Sequence, residues 1–164
     1  MLACTPLQMC SLAAAIANGG TLYRPQLVQS ITTYDSQNRP REVRSLQPEA
    51  TGRLGFSPRH LREVVRAMEM VMQPGGTAWR SALPGVPMAG KTGTAQMRRR
   101  GRMVDNAWFV GFAPVPDPRI AVCVFVEGGG HGGEVAAPIA RRMIATYLGL
   151  RLSDSGSSAT RGGD

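Results

Sequence analysis

The sequence predicts an α+β fold in which an antiparallel sheet is sandwiched by helices. Two helical patterns come first, three strand patterns then follow one another across short turns, and a last helical pattern closes the series. The third strand pattern, Ile120–Glu127, is apolar as far as Val126 without alternating polar positions, which indicates burial on both faces. We therefore expect helices on both sides of the sheet.

The first helix is predicted from Thr5 to about Asn18. Thr5 is a favourable N-cap, Pro6 suits the first helical position, and Gln8 completes a capping box. The two glycines at 19–20 allow the left-handed backbone that often ends a helix. Apolar side chains lie most of the way round this helix, so we expect it to be buried on several sides.

A polar surface hairpin is predicted next. Two runs with β-branched residues, 27–34 and 41–46, are joined by the turn residues of 35–38. A second helix begins at 57–58, carries apolar residues at i, i+3, i+4 and i+7 spacing, and ends at the Pro-Gly-Gly of 74–76.

The sheet is predicted from three runs at 86–97, 107–113 and 120–127, the first two being joined by an arginine-rich turn. A glycine-rich loop at 128–133 then leads to a closing helix, which should run from about Pro138 to Leu148.

The length and composition predict one globular domain over 1–150, followed by a disordered Ser/Gly-rich tail at 151–164. No apolar run reaches 18 residues, so no membrane span is predicted. The N-terminus also lacks the charged-then-apolar order of a secretory signal. Because Met1 leads straight into an apolar helical stretch, we expect a chain cut within a larger domain.

The net charge is +8, from 19 Lys and Arg residues against 11 Asp and Glu residues, and Lys91 is the sole lysine. The arginine cluster at 98–102 has no interleaved aromatic residues for base stacking, so we expect no nucleic-acid partner. Three cysteines without a C-x-x-C, together with two histidines, predict neither a metal site nor a cofactor. We interpret Cys4, Cys10 and Cys123 as small buried apolar side chains.

The stretch GVPMAGKTGTAQM, Gly85 to Met97, allows two interpretations. Its first eight residues fit G-x-x-x-x-G-K-[ST], the pattern of a phosphate-binding loop. Such a loop needs a buried strand before it and a helix after it. The residues of 79–84 do not form a core strand pattern, and those of 92–94 are poor for the first turn of a helix. A nucleotide-binding protein is therefore the less favoured hypothesis.

As a strand, the second half of this stretch has the chemistry of a binding edge. Thr92 and Thr94 are two residues apart, so their hydroxyls face the same side, while Gly93 leaves the other side bare. Lys91 can place an ammonium in a cleft, beside backbone N–H groups that could serve as oxyanion donors. On these four residues alone, a hairpin with an incidental lysine is an equally good interpretation.

Further motifs occur in a fixed order along nearly the whole chain. They are Thr5–Gln8 with Ala17–Gly20, Tyr23–Pro25, Gly75–Ala78, Ala89–Gln96, Ala107–Pro114 and Ala136–Ala140. This series resembles the C-terminal part of the transpeptidase domain of class B penicillin-binding proteins, up to about Leu150.

The resemblance implies the chemistry of a serine D,D-transpeptidase, an acyltransferase of peptidoglycan biosynthesis. In that family a serine attacks the D-Ala-D-Ala stem peptide, or a β-lactam, and the acyl group then passes to an amine. The resemblance implies two catalytic residues here, Lys91 for the electrostatics of the cleft and Thr94 for half of the oxyanion hole through its N–H. It also implies that Thr92 and Thr94 hold the substrate carboxylate, with Gly93 and Gln96 along the same strand edge.

The nucleophile motif of this family, S-x-x-K, is absent, because three residues before the sole lysine stands Met88. The one S-x-N match, Ser36–Asn38, lies downstream of the first helix instead of upstream and is typical of a turn. We therefore expect a fragment that is inactive alone. The alternative is a non-enzymatic product that binds peptidoglycan or a partner. His131 is interpreted as a solvated loop residue outside the site.

The resemblance further implies a parent enzyme at the inner membrane, with this domain in the periplasm or otherwise outside the cytoplasmic membrane. Such enzymes work with the cell-wall synthesis machinery in cell elongation, which determines cell shape, or in cell division. For the chain alone, a buried first helix and an incomplete sheet predict exposed apolar surface.

Overall fold

A computed structural model provides the structure of the chain and describes residues 3–99 and 101–152. Within these residues, the elements in chain order are α1 (Pro6–Ala17), β1 (Thr21–Tyr23), β2 (Ser30–Tyr34), β3 (Pro40–Ser45), β4 (Ala50–Arg53), α2 (Pro58–Val71), a 3₁₀ turn (Trp79–Ser81), β5 (Ala89–Arg99), β6 (Arg102–Ala113), β7 (Ile120–Val126) and α3 (Ala136–Tyr147). The predicted disordered tail lies outside the described residues, apart from Arg151 and Leu152.

The main sheet has the order β5-β6-β7, and both neighbouring pairs are antiparallel. Its register places Ala89 opposite Phe112 on one pair, and Phe109 opposite Val124 on the other. The predicted α+β fold with an antiparallel sheet is confirmed.

Helices cover both faces of this sheet. Because successive strand residues alternate between faces, Phe109 and Phe112 point to opposite sides. Phe109 packs in a core with residues of α3, among them Ala140 and Ile144. Phe112 packs instead with Ala13 of α1 and with residues of α2 and β5. The sheet therefore separates two apolar cores, as the sequence predicts for a sheet sandwiched by helices.

One aromatic ring anchors the buried end of β5. Gly90 and Gly111 lie directly opposite one another in the β5–β6 register, and both are buried. A Cβ at Gly111 would lie 2.9 Å from Cε1 of Phe109 and 2.5 Å from the carbonyl oxygen of Ala89, and a Cβ at Gly90 would overlap the same ring. The glycines thus make room for the Phe109 ring, which fixes β5 just before Lys91.

Helix α1 begins as predicted, with Thr5 and Gln8 forming both hydrogen bonds of the capping box. Its expected burial on several sides is wrong for this chain. Only Ala13 and Ala15 are buried, whereas Leu7 is 60% exposed. The described residues cover one face of α1 and leave its other apolar side chains in contact with solvent, consistent with the expected exposed apolar surface.

The predicted surface hairpin is confirmed as β2 and β3, and every residue of β2 is exposed. At its turn, Oδ1 of Asp35 accepts hydrogen bonds from the N–H groups of Gln37 and Arg39, and Asn38 has a φ of 58°. The backbone N–H of Arg39, as the main cause, lowers the pKa of the exposed Asp35 carboxyl. The short pair formed by β1 and β4 was not predicted.

The β5–β6 hairpin is longer than predicted from the sequence. Strand β5 begins at Ala89 and not at 86, and β6 begins at Arg102 and not at 107. The strands stay paired up to Arg99 and Arg102, beside Gly101 with a φ of 81°. An ion pair of 3.0 Å between Arg99 and Glu127 holds this end against the residue that follows β7. Helix α3 likewise starts two residues earlier than expected.

The prediction that all three cysteines are buried is wrong for Cys4, which is exposed. Cys10 and Cys123 are half-buried, and the Cys10 thiol donates a hydrogen bond to the carbonyl oxygen of Ala121 at 3.5 Å. Burial raises the pKa of both half-buried thiols, that of Cys123 to about 11. The Cys10 hydrogen bond links α1 to β7.

No helix in the described ranges combines the length and the apolar character needed to cross a membrane.

Candidate active site along strand β5

The predicted site residues all lie on β5, an edge strand of the described sheet. β5 pairs with β6 on one side, and no other described strand pairs with it. Ala89 and Gly90 are buried, whereas Lys91 and all residues from Thr94 onwards in the described part of this strand are exposed. The strand thus emerges from the core at the predicted motif.

Thr92 and Thr94 lie on the same face of β5, as predicted. The register places them opposite Phe109 and Ala107, and both of these residues belong to the core that contains α3. Residues directly opposite in an antiparallel pair share a face, so the two hydroxyls lie on the α3 side of the sheet. Gly93 lies between them, opposite Trp108.

The Thr92 hydroxyl contacts Thr77, with 2.7 Å between the two Oγ1 atoms. Thr77 follows α2, and the next residue, Ala78, donates its N–H to the carbonyl oxygen of Val71 at 3.0 Å. A Cβ at Gly76 would overlap the carbonyls that end α2, so only glycine allows this tight approach. Thr77 was not predicted as a site residue, although it lies in one of the quoted motifs.

The Thr94 hydroxyl lies 3.5 Å from Nδ1 of His131, in the loop between β7 and α3. His131 was predicted to be a solvated loop residue outside the site. The side chain is exposed, as expected of a loop residue, but it adjoins one of the predicted site residues.

Two glycines bring this loop close to β5 and to Thr77. A Cβ at Gly132 would lie 2.5 Å from the carbonyl oxygen of Gly93, and a Cβ at Gly133 would overlap the carbonyl oxygen of Thr77. The loop also leads directly into α3, since the N–H of Ala137 donates to the carbonyl oxygen of Gly132 at 2.8 Å. The paired glycines after His131 were the sequence signal that could have located it, because paired glycines often mark close backbone contacts.

The Lys91 ammonium donates a hydrogen bond to the carbonyl oxygen of Thr92. None of the ion pairs among the described residues includes Lys91. Gln96 lies two residues beyond Thr94 on the same face of the strand and is exposed, opposite Asp105 in the register. The edge therefore presents an ammonium, two hydroxyls and an amide, a set that suits an anionic ligand with several acceptor oxygens.

The structure does not provide the helix that a phosphate-binding loop needs after its lysine, because residues 91–99 continue as a strand. The S-x-N match at Ser36–Asn38 lies in the turn of the β2–β3 hairpin, as predicted. Within the described residues, no group of three or more His, Cys, Asp or Glu side chains could hold a metal ion.

Comparison with known proteins identifies a single family. The profile of the penicillin binding protein transpeptidase domain matches residues 2–145. Among curated relatives, the peptidoglycan D,D-transpeptidase PbpA of Mycolicibacterium smegmatis is 38% identical over 157 residues, which cover 89% of this chain and 30% of the relative. Stage V sporulation protein D of Bacillus subtilis is 32% identical over 88% of this chain and 23% of its own length.

Solved structures give the same result. Penicillin-binding protein A from M. tuberculosis, in its ceftriaxone acyl-enzyme complex, is 35% identical with a TM-score of 0.75, covering 88% of this chain and 32% of that one. Penicillin-binding protein 2B of Streptococcus pneumoniae is 26% identical with a TM-score of 0.76, covering 91% of this chain and 26% of that one. The chain thus spans less than a third of these proteins. With the motif order and the fold, these matches show that the chain belongs to the penicillin-binding protein transpeptidase family.

Proposed function

We propose that this chain forms one wall of the cleft of a serine D,D-transpeptidase, which cross-links peptidoglycan stem peptides through an acyl-enzyme and is blocked by β-lactams. The observation that carries the proposal is the alignment of Lys91, Thr92 and Thr94 along the exposed edge of β5. Support comes from relatives named peptidoglycan D,D-transpeptidases and from a related structure solved as an acyl-enzyme complex.

In this proposal, the terminal carboxylate of D-Ala-D-Ala binds to the hydroxyls of Thr92 and Thr94. The Lys91 ammonium lies one residue away and adds a positive charge, which strengthens hydrogen bonds to a carboxylate. Gly93 lets the peptide approach the strand, and Gln96 contacts it further along. The N–H of Thr94 donates to the carbonyl oxygen as it becomes an oxyanion in the transition state.

The covalent step requires a serine outside this wall. Its hydroxyl oxygen attacks the penultimate carbonyl carbon, the peptide C–N bond breaks, and the terminal D-Ala leaves after its nitrogen takes up a proton. The amine of an acceptor strand then attacks the ester and releases the serine. Since the only lysine of this sequence is Lys91, with Met88 three residues before it, no serine of this chain is part of S-x-x-K. We infer that the chain alone is inactive.

A second candidate function is non-enzymatic binding of peptidoglycan or of a partner protein. It is favoured by the same observation, since the β5 edge offers donors for a carboxylate while the sequence lacks the family's nucleophile motif. The two candidates share their binding residues and differ in whether a covalent bond ever forms. In either case we place the domain outside the cytoplasmic membrane, where peptidoglycan is assembled, together with the cell-wall synthesis machinery.

Fluorescent penicillin tests the covalent part of this proposal. The purified chain is incubated with the reagent, denatured and separated on a gel beside a complete penicillin-binding protein. We expect no labelling of the chain and strong labelling of the complete enzyme. A labelled band from the chain that disappears after competition with unlabelled penicillin would contradict the inferred inactivity.

Titration with N-acetyl-D-alanyl-D-alanine tests the binding part. We expect the amide signals of residues 91–96 to shift in ¹H–¹⁵N NMR spectra, and the C-terminal amide of the same dipeptide to have little effect. Lys91→Met should weaken binding, whereas Arg98→Met removes the same charge from an exposed position of the same strand and serves as the control. Equal binding of acid and amide, or shifts confined to other parts of the chain, would reject the proposed carboxylate site.

A further inference from the structure

Each of the two threonine hydroxyls on β5 has its own partner from a different loop. Thr77, after α2, contacts Thr92, and His131, after β7, approaches Thr94. We infer that Thr77 and His131 are positioning residues that orient these two hydroxyls towards a carboxylate. This inference rests on the proposed function, because it assumes that the ligand at the β5 edge is an anion held by both threonines.

The direction of each hydrogen bond follows from the chemistry of the ligand. A carboxylate only accepts hydrogen bonds, so Thr92 and Thr94 must donate their single hydroxyl protons to it. Their oxygens are then free to accept a hydrogen bond but have no proton left for another partner. Thr77 must therefore donate its hydroxyl proton to Thr92, and Nδ1 of His131 must donate to Thr94.

The two hydrogen bonds differ in how closely their distances match an ordinary hydrogen bond. The 2.7 Å between the Thr77 and Thr92 oxygens is an ordinary O–H···O distance, so this pair is already formed. The 3.5 Å between His131 and Thr94 is the outer limit of a hydrogen bond. When Thr94 donates to an anion, its oxygen becomes a better acceptor, and we expect the His131 contact to shorten.

Close backbone contacts join Thr77 and the loop that carries His131. Gly133 lies against the carbonyl oxygen of Thr77, and Gly132 lies against the backbone of Gly93 between the two threonines. The carbonyl oxygen of His131 accepts hydrogen bonds from the N–H groups of Glu134 and Val135, both at 3.1 Å. The Thr77 backbone thus lies against the loop that carries His131, and this loop lies against β5, which reduces the entropy lost when the hydroxyls are ordered.

The first test compares paired variants in the N-acetyl-D-alanyl-D-alanine titration. Thr77→Val keeps the shape but removes the donor, whereas Thr77→Ser keeps the hydroxyl. His131→Leu removes the ring donor, whereas His131→Gln keeps an N–H group. We expect the Thr77→Val and His131→Leu variants to bind the dipeptide about three- to tenfold more weakly, the range for one net hydrogen bond. The Thr77→Ser and His131→Gln variants should retain most of the affinity.

Double-mutant cycles separate positioning from a general structural effect. With Thr92→Val in place, the additional change Thr77→Val should cost little further affinity, and the same should hold for Thr94→Val with His131→Leu. The crossed combinations, Thr92→Val with His131→Leu and Thr94→Val with Thr77→Val, serve as controls and should be closer to additive. Additive losses in the matched pairs, with all variants folded, would overturn the inference.

The protonation state of His131 gives an independent test. In ¹⁵N spectra of the ring, ligand binding should leave the proton on Nδ1, because only that tautomer, or the doubly protonated ring, can donate to Thr94. A bound complex with an unprotonated Nδ1 would overturn the role of His131.

These outcomes are distinguishable from a failure of the proposed function. If the dipeptide acid binds no better than its amide, the carboxylate site itself is wrong. If the acid binds selectively at 91–96 but Thr77→Val and His131→Leu leave its affinity unchanged, only the positioning role is wrong.

Discussion

The three-stranded sheet β5–β6–β7 and the β2–β3 hairpin are both antiparallel, yet they differ in what their faces touch. The sheet packs against α1 and α2 on one side and α3 on the other. Every residue of β2 is exposed. The hairpin is held by its turn, through the hydrogen bonds that Asp35 accepts. The sheet is held by the apolar packing of its two cores.

The candidate site lies on a single strand, β5, that is buried at one end and exposed at the other. β5 starts in the core beneath the Phe109 ring and ends exposed at Arg99. Its buried end fixes the strand, and its open edge leaves backbone and side-chain donors accessible. A hairpin exposed along its whole length would not hold donors with comparable precision, so β5 is the better place for the candidate site.

The sharpest test of this contrast replaces an aromatic residue in each region. Phe109→Ala should lower the free energy of unfolding by about 3–5 kcal/mol, because it removes a fully buried ring and leaves a cavity. Tyr34→Ala in the hairpin, where the side chain is 66% exposed, should change it by at most about 0.5 kcal/mol. Urea denaturation measures both, and similar losses would show that the hairpin is as well packed as the sheet.

An added methyl group should be costly in the sheet but not at an exposed glycine outside it. Gly111→Ala would place a Cβ 2.5 Å from the carbonyl oxygen of Ala89, so we expect a loss of about 1–3 kcal/mol. Gly55→Ala, just after β4, meets no atom within 4 Å and should be neutral or stabilising by up to about 1 kcal/mol. Thermal unfolding of both variants checks this. A neutral Gly111→Ala would mean that the strands move apart easily.

Thiol reactivity should distinguish the half-buried Cys123 of the sheet from the exposed Cys4 that precedes α1. Burial raises the pKa of Cys123 to about 11, so at pH 8 on the order of one thiol in a thousand is a reactive thiolate. Iodoacetamide should therefore modify the exposed Cys4 well before Cys123, as followed by peptide mass spectrometry. In urea the two should react similarly. Fast modification of Cys123 in the folded chain would contradict its burial.

The raised pKa of Cys123 also makes the stability of the fold depend on pH. A neutral Cys123 thiol is compatible with folding, so its contribution is fully present below the ordinary cysteine pKa. This contribution is lost as the pH rises through about 11, where the folded-state thiol ionises.

The smallest expected effect is the acid response of the hairpin. Hydrogen bonds, chiefly from the N–H of Arg39, lower the pKa of Asp35, so its contribution is present above the ordinary aspartate pKa. It is lost as the pH falls through the lowered value. NMR titration should show the Gln37 and Arg39 amides shifting together with this carboxyl, and Asp35→Asn should abolish the transition. A carboxyl that titrates at or above the ordinary aspartate pKa would contradict the turn hydrogen bonds.

Local patterns were enough to predict most of the fold. The capping box at Thr5, the proline at the start of α2 and the turn at 35–38 each act within a few residues, so the sequence shows them directly. The β1–β4 pair was missed because its strands have only three and four residues and lie far apart in the chain. Long-range pairing of such short segments leaves no local signal.

The residues of the candidate site on β5 could be predicted from the sequence, but their partners on neighbouring loops could not. Lys91, Thr92, Gly93, Thr94 and Gln96 were predicted from one continuous motif, and their roles stay predictions. The contacts of Thr77 and His131 depend on how the loops after α2 and β7 pack on the strand, which no local pattern states. Only the glycines beside them indicated a close approach of backbones.

The solitary lysine also makes this edge of β5 unusually accessible to spectroscopy. Reductive methylation with ¹³C-formaldehyde would modify Lys91, the only lysine of the sequence, together with the α-amino group of the chain. The methyl resonance of Lys91 would then report directly from the candidate site, with the α-amino group as the other methylated amine. The arginine-rich composition thus turns ordinary amine chemistry into a site-specific reporter.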